Sequence, residues 1–275
     1  MTTQEIYDAV DAAGAAQGFL DASAFATLRI AEREDRILVR LHRPEVRNAI
    51  DSAMVQELHA VCAHLEATPK ILILAGTQAD AATGSKAFFA SGADIAQLRE
   101  RRRDDALAGI NSSLFDRLAK LPMPVIAALD GFALGGGAEL AYAADFRIGT
   151  TGLRMGNPET GLGIVAAAGA TWRLRELVGE PLAKEILLAG RTLTGDECLR
   201  ARLITELVEP GELLEAAHSL ADRIARQDPL AVRLTKTVFH APREVHPIID
   251  TLAQGILFES QAKFDRMQQF LDRKK

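Results

Sequence analysis

The chain has 275 residues, 48% of them hydrophobic and 25% charged, with a net charge of −5 at pH 7. This is the composition of a soluble globular protein built as one large domain, or as a domain with a small appendage. The acidic balance excludes a generally nucleic-acid-binding surface, and no apolar run reaches the roughly 20 residues that span a bilayer. The opening residues carry Glu5, Asp8 and Asp11 instead of the basic start of a secretory signal. The two cysteines, Cys62 and Cys198, form no C-x-x-C pattern, so both are expected to be reduced core residues of a cytoplasmic protein.

In chain order, Ile6, Val10 and Ala13 fall at helical spacing and predict a helical extension over residues 1–23. FATLRIAE (25–32) and RILVRLHR (36–43) read as strands joined by a polar turn. Asp51 is placed as the N-cap of a helix carrying Met54, Leu58, Val61, Cys62 and Leu65. ILILAG (71–76) is a continuous apolar strand, as in a sheet covered on both faces. A helix over 95–107 and another over 114–121 follow, then a buried strand PVIAAL (124–129), a helix opened by GGGAEL, and a strand FRIG (146–149). Strands alternating with helices give the α/β class, with a core over 24–210. From about Pro181 only helices are expected, and residues 211–275 read as a helical region packing on the body or on a neighbouring subunit.

Three stretches can carry chemistry. GFALGGGAEL (131–140) puts glycines where a strand turns into a helix, so backbone N–H groups can approach a ligand without obstruction by a Cβ. Together with the positive end of the helix this suits an anion or an oxyanion, and Glu139 stands in the first turn. The plainer reading is that the glycines allow close packing and Glu139 only favours the helix dipole. No Lys follows as a phosphate loop requires, and the spacing is not G-x-G-x-x-G. FFASGADI (88–95) exposes backbone donors near Gly92 and Ala93, and GNPETGLG (156–163) presents Glu159 in a loop framed by Pro and Gly. Two glutamates in apolar, glycine-framed surroundings suit paired acid–base work, because desolvation can tune their protonation. The six histidines form no metal-binding pattern, and no G-x-S-x-G elbow supports a serine nucleophile.

HRPEVRNAI, FASGADI, DGFALGGGAEL and NPETGLG, followed by Arg173-Leu174, together resemble the enoyl-CoA hydratase/isomerase (crotonase) superfamily, over about Phe25 to the C-terminus. The resemblance implies a spiral of repeated ββα units with a helical C-terminal part, and assembly as a homotrimer or a dimer of trimers. It implies an acyl-CoA thioester as substrate, with no metal, redox cofactor, nucleic acid or membrane partner. Ala93 and Gly136 match the two N–H donors of the oxyanion hole. Glu139 and Glu159 match the carboxylates flanking a water, Glu159 delivering the proton to Cα and Glu139 activating the water. Glu45, Val46, Arg47, Ser91 and Ile95 match positions that meet coenzyme A. The implied activity is hydration of a trans-2-enoyl-CoA to a 3-hydroxyacyl-CoA. The alternatives are double-bond isomerisation, which typically needs only the second glutamate, or other enolate chemistry on an acyl-CoA, and a non-catalytic scaffold, in which one or both glutamates would be lost. Four departures stand out. Residues 166–170 read AAAGA where P-G-x-G-G is common, with Trp172 in place of Gln. Ala96 replaces a common Lys, for which the basic run over 99–103 can substitute. Arg202 replaces a Gly, and Asp265-Arg266-Met267 replaces E-G-M.

Overall fold

The computed structural model describes residues 20–79 and 86–273, and every count below refers to those residues. The helix expected around Ile6, Val10 and Ala13 lies outside them. The first elements are a hairpin, β1 (Leu28–Glu32) and β2 (Arg36–Leu41), paired antiparallel with Leu28 opposite Leu41. Helix α1 (Ser52–Ala67) starts where the Asp51 side chain accepts the Met54 N–H at 2.8 Å, a cap that satisfies one orphan donor of the first turn.

Next come β3 (Ile71–Ala75), β4 (Phe88–Ala90), the short helices α2 (Ile95–Glu100) and α3 (Arg103–Leu107), and α4 (Ile110–Ala119). The single helix expected over 95–107 is thus two helices. Arg101 and Arg102 take extended backbone, and the Asp105 carboxylate accepts the Arg102 N–H at 2.8 Å, which starts the second helix. Then follow β5 (Val125–Leu129), β6 (Phe132–Leu134), α5 (Gly136–Tyr142), β7 (Phe146–Thr150) and β8 (Arg154–Gly156). After Pro181 the chain is not helical alone. Helices α6 (Arg175–Val178) and α7 (Glu180–Ala189) lead to β9 (Thr192–Thr194), and α8 (Gly195–Arg200) leads to β10 (Glu206–Val208). Both strands have three residues, too few to display a period of two, which is why the sequence pattern did not separate them from turns. The chain closes with α9 (Leu213–Ala225), α10 (Pro229–Phe239), α11 (Ile248–Phe258) and α12 (Gln261–Asp272).

The strands form a six-stranded sheet, ordered β1-β2-β3-β5-β7-β10, and a four-stranded sheet, ordered β4-β6-β8-β9. Successive turns of the chain contribute one strand to each: β3 then β4, β5 then β6, β7 then β8. This is the crotonase spiral. The apolar runs in β3 and β5 follow from two cores. Leu72, Leu74, Val125, Ala127 and Leu129 enter the larger core, while Ile71, Ile73, Ile126 and Ala128 enter a second. Alternate residues of a strand point to opposite faces, so both sets must be apolar.

Helix α9 covers the second core with Leu213, Leu214, Ala217, Leu220 and Ala221. Leu213 and Leu220 are therefore buried inside this chain, so this part of the helical region packs on the body. Cys62 and Cys198 are both buried, and burial pushes each thiol up to about 12.

In the larger core α5 backs onto β4 so closely that a Cβ on Gly137 would lie 2.3 Å from the Ala90 carbonyl oxygen. Alanine normally stabilises an exposed helix interior over glycine by about 1 kcal/mol. Here the clash wins, and Gly137→Ala is expected to destabilise the fold by about 2 kcal/mol or more, as overpacking does. Urea unfolding measures this; a variant as stable as the parent would contradict the packing described.

Candidate active site

Strands β4, β6 and β8 are neighbours in the smaller sheet and run parallel, with Ala90 beside Ala133 and Leu134 beside Gly156. Parallel pairing aligns their C-terminal ends, where parallel sheets leave a crevice for ligands. The chain leaves β4 into Ser91-Gly92-Ala93, leaves β6 into Gly135-Gly136, and leaves β8 into Asn157-Pro158-Glu159. Three stretches far apart in sequence thus meet at one sheet edge.

The first two touch. A Cβ on Gly136 would lie 3.4 Å from the Ala93 nitrogen, and one on Gly92 would lie 3.7 Å from the Gly136 nitrogen. Neither N–H donates to another group among the described residues. Gly136 opens α5, so its N–H is one of the orphan donors at the positive end of a helix. Two free backbone donors therefore face the same space, and they suit an oxygen that gains negative charge.

Glu139 is buried on α5, and its Oε1 accepts the N–H groups of Ala168 at 2.8 Å and Ala170 at 3.0 Å. Burial pushes its pKa up to about 7; the two N–H bonds oppose the rise, and the neighbouring Glu159 charge adds to it. These contacts give the AAAGA departure a physical reading. The loop over 166–170 meets Glu139 through its backbone, so alanine serves there. Gly169 keeps the one positive φ, 130°, that the turn needs.

Glu159 starts a short 3-10 turn after β8 and is also buried, with its pKa raised by desolvation. Its Oε1 lies 3.5 Å from the Asn157 Nδ2, while its Oε2 is buried without a partner. Asn157 is itself fixed by the Tyr142 hydroxyl, which donates to its Oδ1 at 2.9 Å. Gly135 gives Glu159 its room, since a Cβ there would come within 3.1 Å of Oε1. Glu139 thus accepts two backbone N–H groups, and Glu159 is approached by the Asn157 side-chain amide.

A cavity of about 480 Å³ opens on both glutamates, on Ala93 and on Gly136. Its outer wall is apolar, with Ile95, Leu98, Leu162, Ile164 and Val165, and Arg101 and Arg102 stand at its mouth. Ser91 and Ile95 line it as well. Glu45, Val46 and Arg47 do not; they lie behind Ser91, whose N–H donates to the Arg47 carbonyl at 3.0 Å and whose hydroxyl donates to the Val46 carbonyl at 3.4 Å. Asn157, Tyr142 and the Ala168 and Ala170 amides were not singled out by sequence. Asn157 lies inside the quoted GNPETGLG, and its place two residues before Glu159 was the available signal; the amides leave no trace in residue identity.

The enoyl-CoA hydratase/isomerase family profile matches residues 32–275. A short-chain-enoyl-CoA hydratase of Clostridium acetobutylicum is 36% identical over 255 residues, covering 90% of this chain and 95% of the relative. A crotonyl-CoA hydratase of Syntrophomonas wolfei is 34% identical with the same coverage of both chains. The crystal structure of an enoyl-CoA hydratase from Bacillus anthracis matches with a TM-score of 0.83 at 26% identity, covering 90% of this chain and 97% of that one. Both the fold and the sequence therefore assign the chain to the enoyl-CoA hydratase/isomerase family.

Proposed function

We propose that the protein is an enoyl-CoA hydratase, a hydro-lyase that adds water across the double bond of a trans-2-enoyl-CoA. The observation that carries this reading is the single cavity onto which Glu139, Glu159 and the N–H groups of Ala93 and Gly136 all open. An isomerase needs one carboxylate to move a proton, whereas hydration must both activate a water and protonate a carbon. The retention of two buried glutamates supports hydration. The short-chain and crotonyl-CoA hydratases among the relatives support the same substrate class.

In the proposed reaction the thioester oxygen accepts the Ala93 and Gly136 N–H groups. A water lies between the carboxylates. Ionised Glu139, steadied by the Ala168 and Ala170 amides, takes one proton from it while the water oxygen bonds to Cβ. The electron pair of the double bond moves through Cα to the thioester oxygen, where the two N–H donors stabilise the enolate. Protonated Glu159 then gives its proton to Cα, and the product is a 3-hydroxyacyl-CoA. Coenzyme A would then bind beside Ser91 and Ile95, which line the cavity together with Arg101 and Arg102, and the backbone of 46–47 backs Ser91. The chemistry requires no metal or redox cofactor.

Self-association is proposed alongside, as a homotrimer or a dimer of trimers in the cytoplasm. Helix α11 supports it by leaving Ile248, Leu252 and Ile256 exposed on the surface. Sedimentation should read a mass of three or six chains, and a monomer at micromolar concentration would refute this part.

Replacing Glu139 or Glu159 by Gln keeps the shape and removes the proton transfer. Each single variant should lower kcat for crotonyl-CoA hydration by about 10²- to 10⁴-fold, with KM changed far less. Glu139→Gln separates hydratase from isomerase, since an isomerase working through Glu159 alone would tolerate it. The same variant has a second readout. Because the folded-state pKa of Glu139 lies above its unfolded value, stability falls as pH rises between about 4.5 and about 7, and the penalty is complete above that window. Gln still accepts the two amides but carries no charge. Glu139→Gln should therefore be more stable than the parent at alkaline pH, by up to about 3 kcal/mol, and equal to it in acid. Near-normal hydration by Glu139→Gln would overturn the two-carboxylate reading.

A further inference from the structure

Asn111 is a polar side chain in the cavity for which the proposed reaction has no use. It stands in the first turn of α4 and is the one side-chain amide lining the cavity among the described residues. Its Nδ2 lies 3.6 Å from the position a Cβ on Gly136 would take, and the Ala93 nitrogen lies 3.4 Å from the same point. The side-chain amide and the Ala93 backbone amide therefore converge on one face of Gly136. The Asn111 Oδ1 is buried with no hydrogen-bond partner. A buried acceptor without a donor costs stability, and an isosteric apolar side chain would not carry that cost. The fold thus keeps an unfavourable amide at the point where two backbone donors meet.

We propose that the Asn111 side-chain amide is a third hydrogen-bond donor to the thioester oxygen and to the enolate formed from it, beside the N–H groups of Ala93 and Gly136. The inference rests on the hydratase reading, since it concerns the oxygen that reading places there. An enolate oxygen carries more charge and more acceptor capacity than the thioester it comes from. A donor already in position then stabilises the transition state more than the ground state. A neutral amide suits this site better than a cation. Lys or Arg in the same place would hold Glu139 and Glu159 ionised, whereas the reaction needs one of them protonated.

The test compares Asn111→Leu, which keeps the branched shape without donors, with Asn111→Asp, which keeps shape and polarity but opposes an enolate with an acceptor or a charge. Two readouts are taken: hydration of crotonyl-CoA, and the near-ultraviolet absorbance of bound acetoacetyl-CoA, whose acidic α carbon lets the enolate be titrated without turnover. Asn111→Leu should lose about 10- to 10²-fold in kcat with KM within about threefold, as loss of an oxyanion donor does. Its bound acetoacetyl-CoA should ionise at higher pH, and its melting temperature should be equal to or above that of the parent. Asn111→Asp should lose more than Asn111→Leu. A structural role predicts the reverse, with lower melting temperature in Asn111→Leu and the milder effect in Asn111→Asp. That ranking, or an unchanged enolate titration in Asn111→Leu, would overturn the proposal. A parent protein that fails to hydrate any enoyl-CoA would instead overturn the hydratase reading, while the acetoacetyl-CoA titration would still decide the role of Asn111.

Discussion

The site depends on the parallel pairing of β4, β6 and β8, three strands of three residues each. Each strand delivers one functional loop at its C-terminal end, and sheet hydrogen bonding fixes the loops side by side. A change of one residue in register between β4 and β6 would move Ala93 away from Gly136 by a residue's rise, about 3.3 Å, and separate the two N–H groups. The larger sheet holds the register from behind. Its long buried strands β3, β5 and β7 alternate with the short ones along the chain, so two cores anchor what three-residue strands could not hold alone.

On this frame the site accumulates unfavourable features. Glu139 is buried close enough to Glu159 for that carboxylate to disfavour its charge, and the Glu159 Oε2 and Asn111 Oδ1 are buried without partners. A core assembled only for stability would not keep them. Their compensation is local and ordered. The Ala168 and Ala170 amides hold one glutamate, and Asn157 and Tyr142 steady the loop of the other.

Much of this was legible in the sequence, for physical reasons. The runs ILILA and VIAAL are apolar on both faces because both faces are covered, and the Asp51 cap announces α1. The GGG before Glu139 is required by close approach, and it pointed to the site only together with FASGADI and NPETGLG. The remainder was not legible. Strands β4, β6, β8, β9 and β10 are too short to show alternation, and their existence is decided by pairing partners distant in sequence. The clamp on Glu139 is made of backbone amides, which any of several sequences supplies, so the AAAGA stretch reads as a departure although its backbone holds Glu139. Asn111 gave no signal because its meaning lies in its distance from Gly136.

The central claim is that the Ala93 and Gly136 N–H groups act together on one thioester oxygen. Its most direct test is the infrared carbonyl stretch of an enoyl-CoA, isotope-labelled at the thioester carbon, bound to the Glu139→Gln, Glu159→Gln double variant so that no turnover intervenes. Hydrogen bonding to two preorganised donors weakens the C=O bond, so the band should fall below its frequency in water. A bound thioester whose band stays at or above that frequency would show that the two N–H groups do not hold the oxygen, and the account would fail at its foundation.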